Sequence, residues 1–213
     1  MKELMDVLEF RRDFYAFLYR MYLEEPPREL ANDLVKGEFP FPDLESLNKE
    51  MAEGFEMIKS YASGKEVGEI YEDLVDEFTL LFIGPYNLPV QPYETIWVDE
   101  KMAGQSLLSL KNDYREAGIS KSKAYPEPED HIAFELMFMH HLCEIGLSAK
   151  DDEKLVKTLQ IQIDFMDNHI MKWVPDFCEK MIEYEKSDFY KGIAKITRGF
   201  LDIDNEVLNE LLD

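Results

Sequence analysis

Basic residues are scarce in this 213-residue chain: 23 Lys and Arg stand against 45 Asp and Glu, a net charge of −22 with histidine neutral. Nucleic acid is therefore a poor partner, because binding phosphates needs a basic surface. A cationic partner, or plain solubility, suits the charge. Cysteine is scarcer still. Cys143 and Cys178 are the two present, far apart and embedded in apolar helical patterns. That excludes a disulfide framework and a Cys-rich zinc site, and reads as two buried reduced thiols. Ten glycines and ten prolines are too few for collagen-like or low-complexity architecture. No apolar run approaches the roughly 20 residues of a membrane span, and no basic stretch with a following apolar run opens the chain. The expectation is a soluble, cytoplasmic protein without stable membrane insertion.

What is present is hydrophobic: 46% of residues are apolar and 13% aromatic, too many for a disordered acidic chain. The length allows one ordinary domain or two small halves sharing a core. Leu4, Leu8, Phe14, Phe17, Leu18 and Met21 recur at helical spacing up to Leu23, and Pro26 and Pro27 stop that helix. Further helices are expected over 29–35, over 44–61 with Asp43 as cap and Gly64 as terminator, over 67–82, and over 101–117 ending at Gly118. The pattern resumes over 129–146, from 151 through 168 to 185 with a kink or junction at 173–175, over 186–200, and over 204–212. No alternation supports a sheet. The fold class expected is all-α: a single helical-bundle domain of roughly nine to ten helices. Its N-terminal half (1–118) and C-terminal half (129–213) meet at a hinge, 119–128, which carries Pro126 and Pro128.

Two stretches break the helical monotony. Residues 84–93 read Gly-Pro-Tyr-Asn-Leu-Pro-Val-Gln-Pro-Tyr; prolines at 85, 89 and 92 forbid a central strand and leave a fixed loop, over the surface or lining a groove. Phe78, Leu81 and Phe82 before it form a stripe, the usual mark of core. With Tyr93 and Trp97 beyond the loop, the same residues describe a lined groove. The second stretch is Glu127-Pro128-Glu129-Asp130-His131. Pro128 suits a first helical turn and the acids suit its dipole, so a plain helix start accounts for most of it. His131 then falls inside the helix, on one face with Glu135. The same acids could accept a guanidinium in bidentate fashion. A groove that is apolar with an acidic end suits a peptide that is basic at one end and apolar beyond.

Metal and catalytic chemistry lack their patterns. The residues three before His131, His140, His141 and His169 are Pro128, Met137, Phe138 and Met166, so no Glu-x-x-His occurs, and no His-Glu-x-x-His either. There is no Gly-x-Ser-x-Gly, phosphate-binding glycine loop or dinucleotide fingerprint. No metal, cofactor or catalytic residue is expected.

In order, Phe-Thr-Leu-Leu-Phe (78–82), Gly-Pro (84–85), Pro-Tyr-Glu-Thr-Ile-Trp (92–97) and Glu-Pro-Glu-Asp-His (127–131) resemble the TorD/DmsD/NarJ family of redox-enzyme maturation chaperones, on its TorD and DmsD branch. The likeness covers about 71–145. It implies an all-α protein that is not an enzyme. Such a protein binds the twin-arginine signal peptide and the apo form of a molybdopterin oxidoreductase catalytic subunit in the cytoplasm, and holds it back until its cofactor is inserted. It can be a monomer or a helix-exchanged dimer. By similarity the leader-binding residues are Phe78, Leu81 and Phe82, then Gly84, Pro85, Pro92, Tyr93 and Trp97 on the loop, then Glu127, Asp130 and His131 in the hinge motif. This chain departs from the pattern in having Phe at 78 and acids at 99 and 100, ahead of Gly104. A generic helical interaction module and a small helical metalloprotein or enzyme are the alternatives.

Overall fold

The computed structural model describes residues 2–41, 47–84, 88–122, 125–184 and 188–212. Every regular element among them is helical, so the protein is all-α: α1 (Lys2–Leu23), α2 (Arg28–Lys36), α3 (Lys49–Ala62), α4 (Val67–Phe78), α5 (Glu94–Val98), α6 (Gln105–Glu116), α7 (Ile132–Leu147), α8 (Asp152–Phe165), α9 (Met171–Glu183) and α10 (Asp188–Glu210). Two π turns, Thr79–Ile83 and Met166–Ile170, continue α4 and α8. The spacing of apolar residues located these helices. Their ends were set by side chains that reach back to the first turn.

Several boundaries therefore differ from the expected ones. Asn48, not Asp43, caps α3: its Oδ1 accepts from Met51 N at 2.8 Å, and Asp43 lies outside the described residues. α6 starts at Gln105 rather than 101, because Asp99 accepts from the N–H and hydroxyl of Ser106 at 2.9 and 2.6 Å. α7 starts at Ile132, so Pro128 is outside the helix. α10 is continuous through 201–203, where two helices were expected. Gly37, Gly64 and Gly118 do follow helix ends with φ near +75° (72°, 77° and 78°).

The compact units are not sequential halves. One comprises Met1–Tyr22, Pro92–Val174 and Ile203–Asp213; the other comprises Leu23–Gln91 and Pro175–Asp202. Residues 119–128, expected as a hinge between halves, lie inside the first unit and join α6 to α7. The reason is long-range pairing. In the first unit the buried Arg11 of α1 donates to both oxygens of Asp204 on α10 at 2.5 and 3.0 Å, and Tyr15 OH donates to the same carboxylate at 2.6 Å. In the second, α3 meets α10 backbone to backbone: a Cβ at Gly192 would stand 2.8 Å from Gly54 O and 2.6 Å from Ile58 Cγ1. Glu50–Arg198 and Glu53–Lys195 ion pairs flank that crossing.

Candidate functional site

The sequence-expected site residues fall in both units. Phe78, Leu81 and Phe82 belong to the second. Their spacing puts them on one face across the end of α4 and the π turn after it, and that face points inward: they are 3, 1 and 8% exposed. Phe82 packs on Phe78 (5.2 Å between centroids) and edge-on against Tyr190 (5.4 Å). The same turn leaves Leu80 and Ile83 outward, 41 and 62% exposed. Gly84 ends the turn with extended ψ. Pro85 lies outside the described residues.

Pro92, Tyr93, Trp97, Glu127, Asp130 and His131 are brought together in the first unit. Residues 92–94 run antiparallel to 130–132: Glu94 N–H donates to Asp130 O at 3.0 Å and Ile132 N–H to Pro92 O at 2.9 Å. Proline at 92 costs that pairing nothing, since only its carbonyl is used. Tyr93 stands edge-on to the His131 ring, 5.4 Å between centroids, and its hydroxyl donates to Glu127 at 2.6 Å. Burial first, then that bond, pushes the Tyr93 phenol up. Trp97, half-buried, rides on the short α5.

The polar members divide into buried and accessible. Asp130 is 1% exposed; its Oδ2 accepts from the N–H and hydroxyl of Thr95 at 3.2 and 2.6 Å, while Oδ1 is buried without a hydrogen-bond partner. It thus holds the first turn of α5 in place. His131 is the N-cap of α7, its Nδ1 accepting from Ala133 N–H at 3.2 Å, and burial pushes it down to about 3. A neutral imidazole can accept that bond; a protonated one cannot. Glu127 and Glu129 are half-buried, and Glu129 pairs with Lys111 at 2.9 Å.

Sequence reasoning missed a buried polar network beneath this surface. Glu94 meets His169 Nδ1 at 2.9 Å, and His169 Nε2 meets Asp113 at 2.8 Å. Trp173 Nε1–H donates to Glu135 at 3.1 Å. Burial first, then the nearby Glu94 charge, raises the Glu135 carboxyl well above its ordinary range. His169 sits on the second π turn, 75 residues from Glu94. No local motif marks it; π turns cannot be read from periodicity.

Beside the segment that joins α6 to α7 lies an apolar cleft of about 390 Å³, lined by Tyr19, Tyr125, Phe134, Met137, Phe138 and His140 among others. Among the described residues no group of three or more His, Cys, Asp or Glu is arranged for a metal, and no helix is long and apolar enough to cross a membrane. Burial pushes the Cys143 thiol up to about 12 and Cys178 further, so neither is an activated nucleophile. The geometry offers recognition: aromatic faces beside carboxylates.

Comparison with known proteins gives the same direction. The model of the family described as nitrate reductase delta subunit matches residues 44–179. The chaperone protein TorD of Vibrio cholerae serotype O1 (strain M66-2) is 24% identical over 218 residues, covering 100% of this chain and 98% of its own. The Tat proofreading chaperone DmsD of Salmonella typhi is 30% identical over 171 residues, 79% of this chain and 72% of its own. A solved structure of a candidate redox enzyme maturation protein from Archaeoglobus fulgidus is 22% identical, covers 90% of this chain and 93% of its own, and superimposes with a TM-score of 0.49.

Proposed function

Because the chain belongs to the nitrate reductase delta subunit family, with TorD and DmsD among its relatives, we propose that it binds the twin-arginine leader of a molybdenum-cofactor oxidoreductase subunit. It would hold the apo subunit in the cytoplasm until the cofactor is in place. It is a chaperone of the redox-enzyme maturation kind, and its work is binding rather than catalysis.

The observation that carries the leader reading is the pairing of 92–94 with 130–132. It lays the aromatic Tyr93 and Trp97 beside the acidic hinge in one unit. A leader's paired arginines compete with Tyr93 and Lys111 for Glu127 and Glu129, whose carboxylates are half-buried rather than enclosed, and guanidinium forks suit them. Asp130 serves by anchoring Thr95, not by touching the arginines. The apolar stretch of the leader lies along Tyr93 and Trp97, where Val98 and Met102 are 41 and 50% exposed. Burying apolar surface at about 25 cal/mol per Å² supplies most of the affinity, and the charges supply orientation and encounter rate. Phe78, Leu81 and Phe82 are packed inside the second unit and act at one remove from the leader.

Calorimetric titration with twin-arginine leaders from one genome, each beside its Lys-Lys version, tests this. At least one leader should bind, and its Lys-Lys form should bind about tenfold or more weakly, since an ammonium cannot form the planar two-bond contact. Equal binding of both forms removes the arginine assignment. No binding of any leader removes the function.

A further inference from the structure

The connection from α6 to α7 that carries Glu127 also carries a base, Lys121, which its own backbone has already engaged. Its Nζ donates to the carbonyl of Glu127 and lies over the Phe134 ring, 5.6 Å from the centroid. That distance is within cation–π range. Phe134 is 6% exposed. Its ring makes edge contacts with Tyr125 (5.9 Å between centroids) and His131 (6.1 Å), so it stands between the cleft and the 127–131 motif. Lys121 lines that cleft as well. Burial works against the Glu129 carboxylate, yet the Lys111 contact and, least of the contributions, the Lys121 charge hold its carboxyl low.

From this arrangement we propose that Lys121 occupies, in the free protein, the place that one guanidinium of the leader takes on binding. The proposal rests on the leader reading above. The place asks for a flat cation: an aromatic face below, the Glu127 carbonyl at one edge, and the Glu129 charge nearby. A lysine ammonium fills it imperfectly, being a strongly hydrated point charge. Half-buried there, it forgoes part of its hydration for one carbonyl and one ring. Guanidinium is less strongly hydrated, stacks on rings, and offers five donors where Lys121 offers three. An arriving arginine therefore displaces Lys121 to solvent and inherits its partners. A leader lysine would exchange like for like and gain nothing, so the residue also sharpens discrimination between Arg-Arg and Lys-Lys leaders.

Substitution distinguishes this from a structural latch by the sign of its effect. Lys121→Met keeps the side-chain length and removes the competitor. It should tighten binding of an Arg-Arg leader about threefold to tenfold, the scale of one partly desolvated cation–π contact. Lys121→Arg keeps the charge and the carbonyl bond but makes a better occupant, and should weaken binding at least about twofold. Lys157→Met on α8, an equal change of net charge away from the hinge, should change affinity by less than about twofold. Looser binding by Lys121→Met, a gain no larger than that of Lys157→Met, or wild-type affinity in Lys121→Arg each overturns the proposal. Lys121→Arg alone decides the matter should Lys121→Met fail to fold by its melting curve. Wild-type protein that binds a leader with a flat Lys121 series defeats this inference only; wild-type protein that binds no leader defeats the function with it.

Discussion

The two units are held together by different means. In the second, α3 and α10 approach through Gly54 and Gly192, aromatic rings fill the space around Phe82 and Tyr190, and ion pairs remain at the rim. Among its described residues the buried polar side chains include Thr197 and the phenol of Tyr190. The first unit buries Arg11, Glu94, Thr95, Asp130, His131, Glu135, Thr158, Gln162, His169 and Asp204. Burying such groups is costly unless they are paired, and pairing fixes geometry closely. The contrast teaches where buried polar pairs hold geometry: in the unit that carries the acids of 127–131 and the Tyr93 loop, while the other relies on close helix packing with its ion pairs toward the rim.

The largest blow to that contrast comes from Asp204. Asp204→Ala leaves Arg11 buried without its two carboxylate bonds and should cost about 3–5 kcal/mol of unfolding free energy, read from denaturant curves. A loss below about 1 kcal/mol would mean that the first unit does not depend on its buried charges. Gly192→Ala strikes the second unit. Its Cβ would meet the backbone oxygen of Gly54, which can move only with its helix, so about 1–3 kcal/mol should be lost, with little dependence on pH.

The smallest effect is the one that sharpens the contrast, since in the first unit pH acts on a buried histidine and a buried carboxyl. Folding lowers His131 from 6.5 to about 3, so the unfolded chain binds more protons in between. Stability from this group is whole above pH 6.5 and is lost as pH falls toward 3. Glu135 runs the other way: its raised carboxyl favours the folded state below about pH 4.5, and that advantage is lost as pH rises through the folded value. Thermal melts should therefore show Glu135→Gln gaining on the wild type at pH 8 relative to pH 5. His131→Asn, which keeps a capping acceptor, should flatten the acid side. Parallel profiles for all three proteins would refute both assignments.

Most of the helices were legible because burial of one face imposes a 3.6-residue period whatever the partner. Their ends were less so. Asp43 and Asn48 are both capping residues, and choosing between them required Gly199, whose carbonyl takes a 2.8 Å bond from Asn48. Glu127, Asp130 and His131 could be marked as a polar cluster, but not sorted. That Asp130 and His131 face inward while Glu127 remains half-buried depends on Thr95 and Ala133. Gly104 became intelligible only in three dimensions: any Cβ there would collide with the Asp99 carboxylate that caps α6.

The chain alone determined its helical class, its acidity, the places where proline and glycine interrupt it, and the four short motifs that place it in its family. These are consequences of local sterics and composition. Tertiary structure alone decided which segments share a unit, which acids are buried, and that Glu94 meets a histidine 75 positions away. Such pairings follow from how whole helices pack. A buried carboxylate and an exposed one are the same letter until a second segment arrives to take away its water.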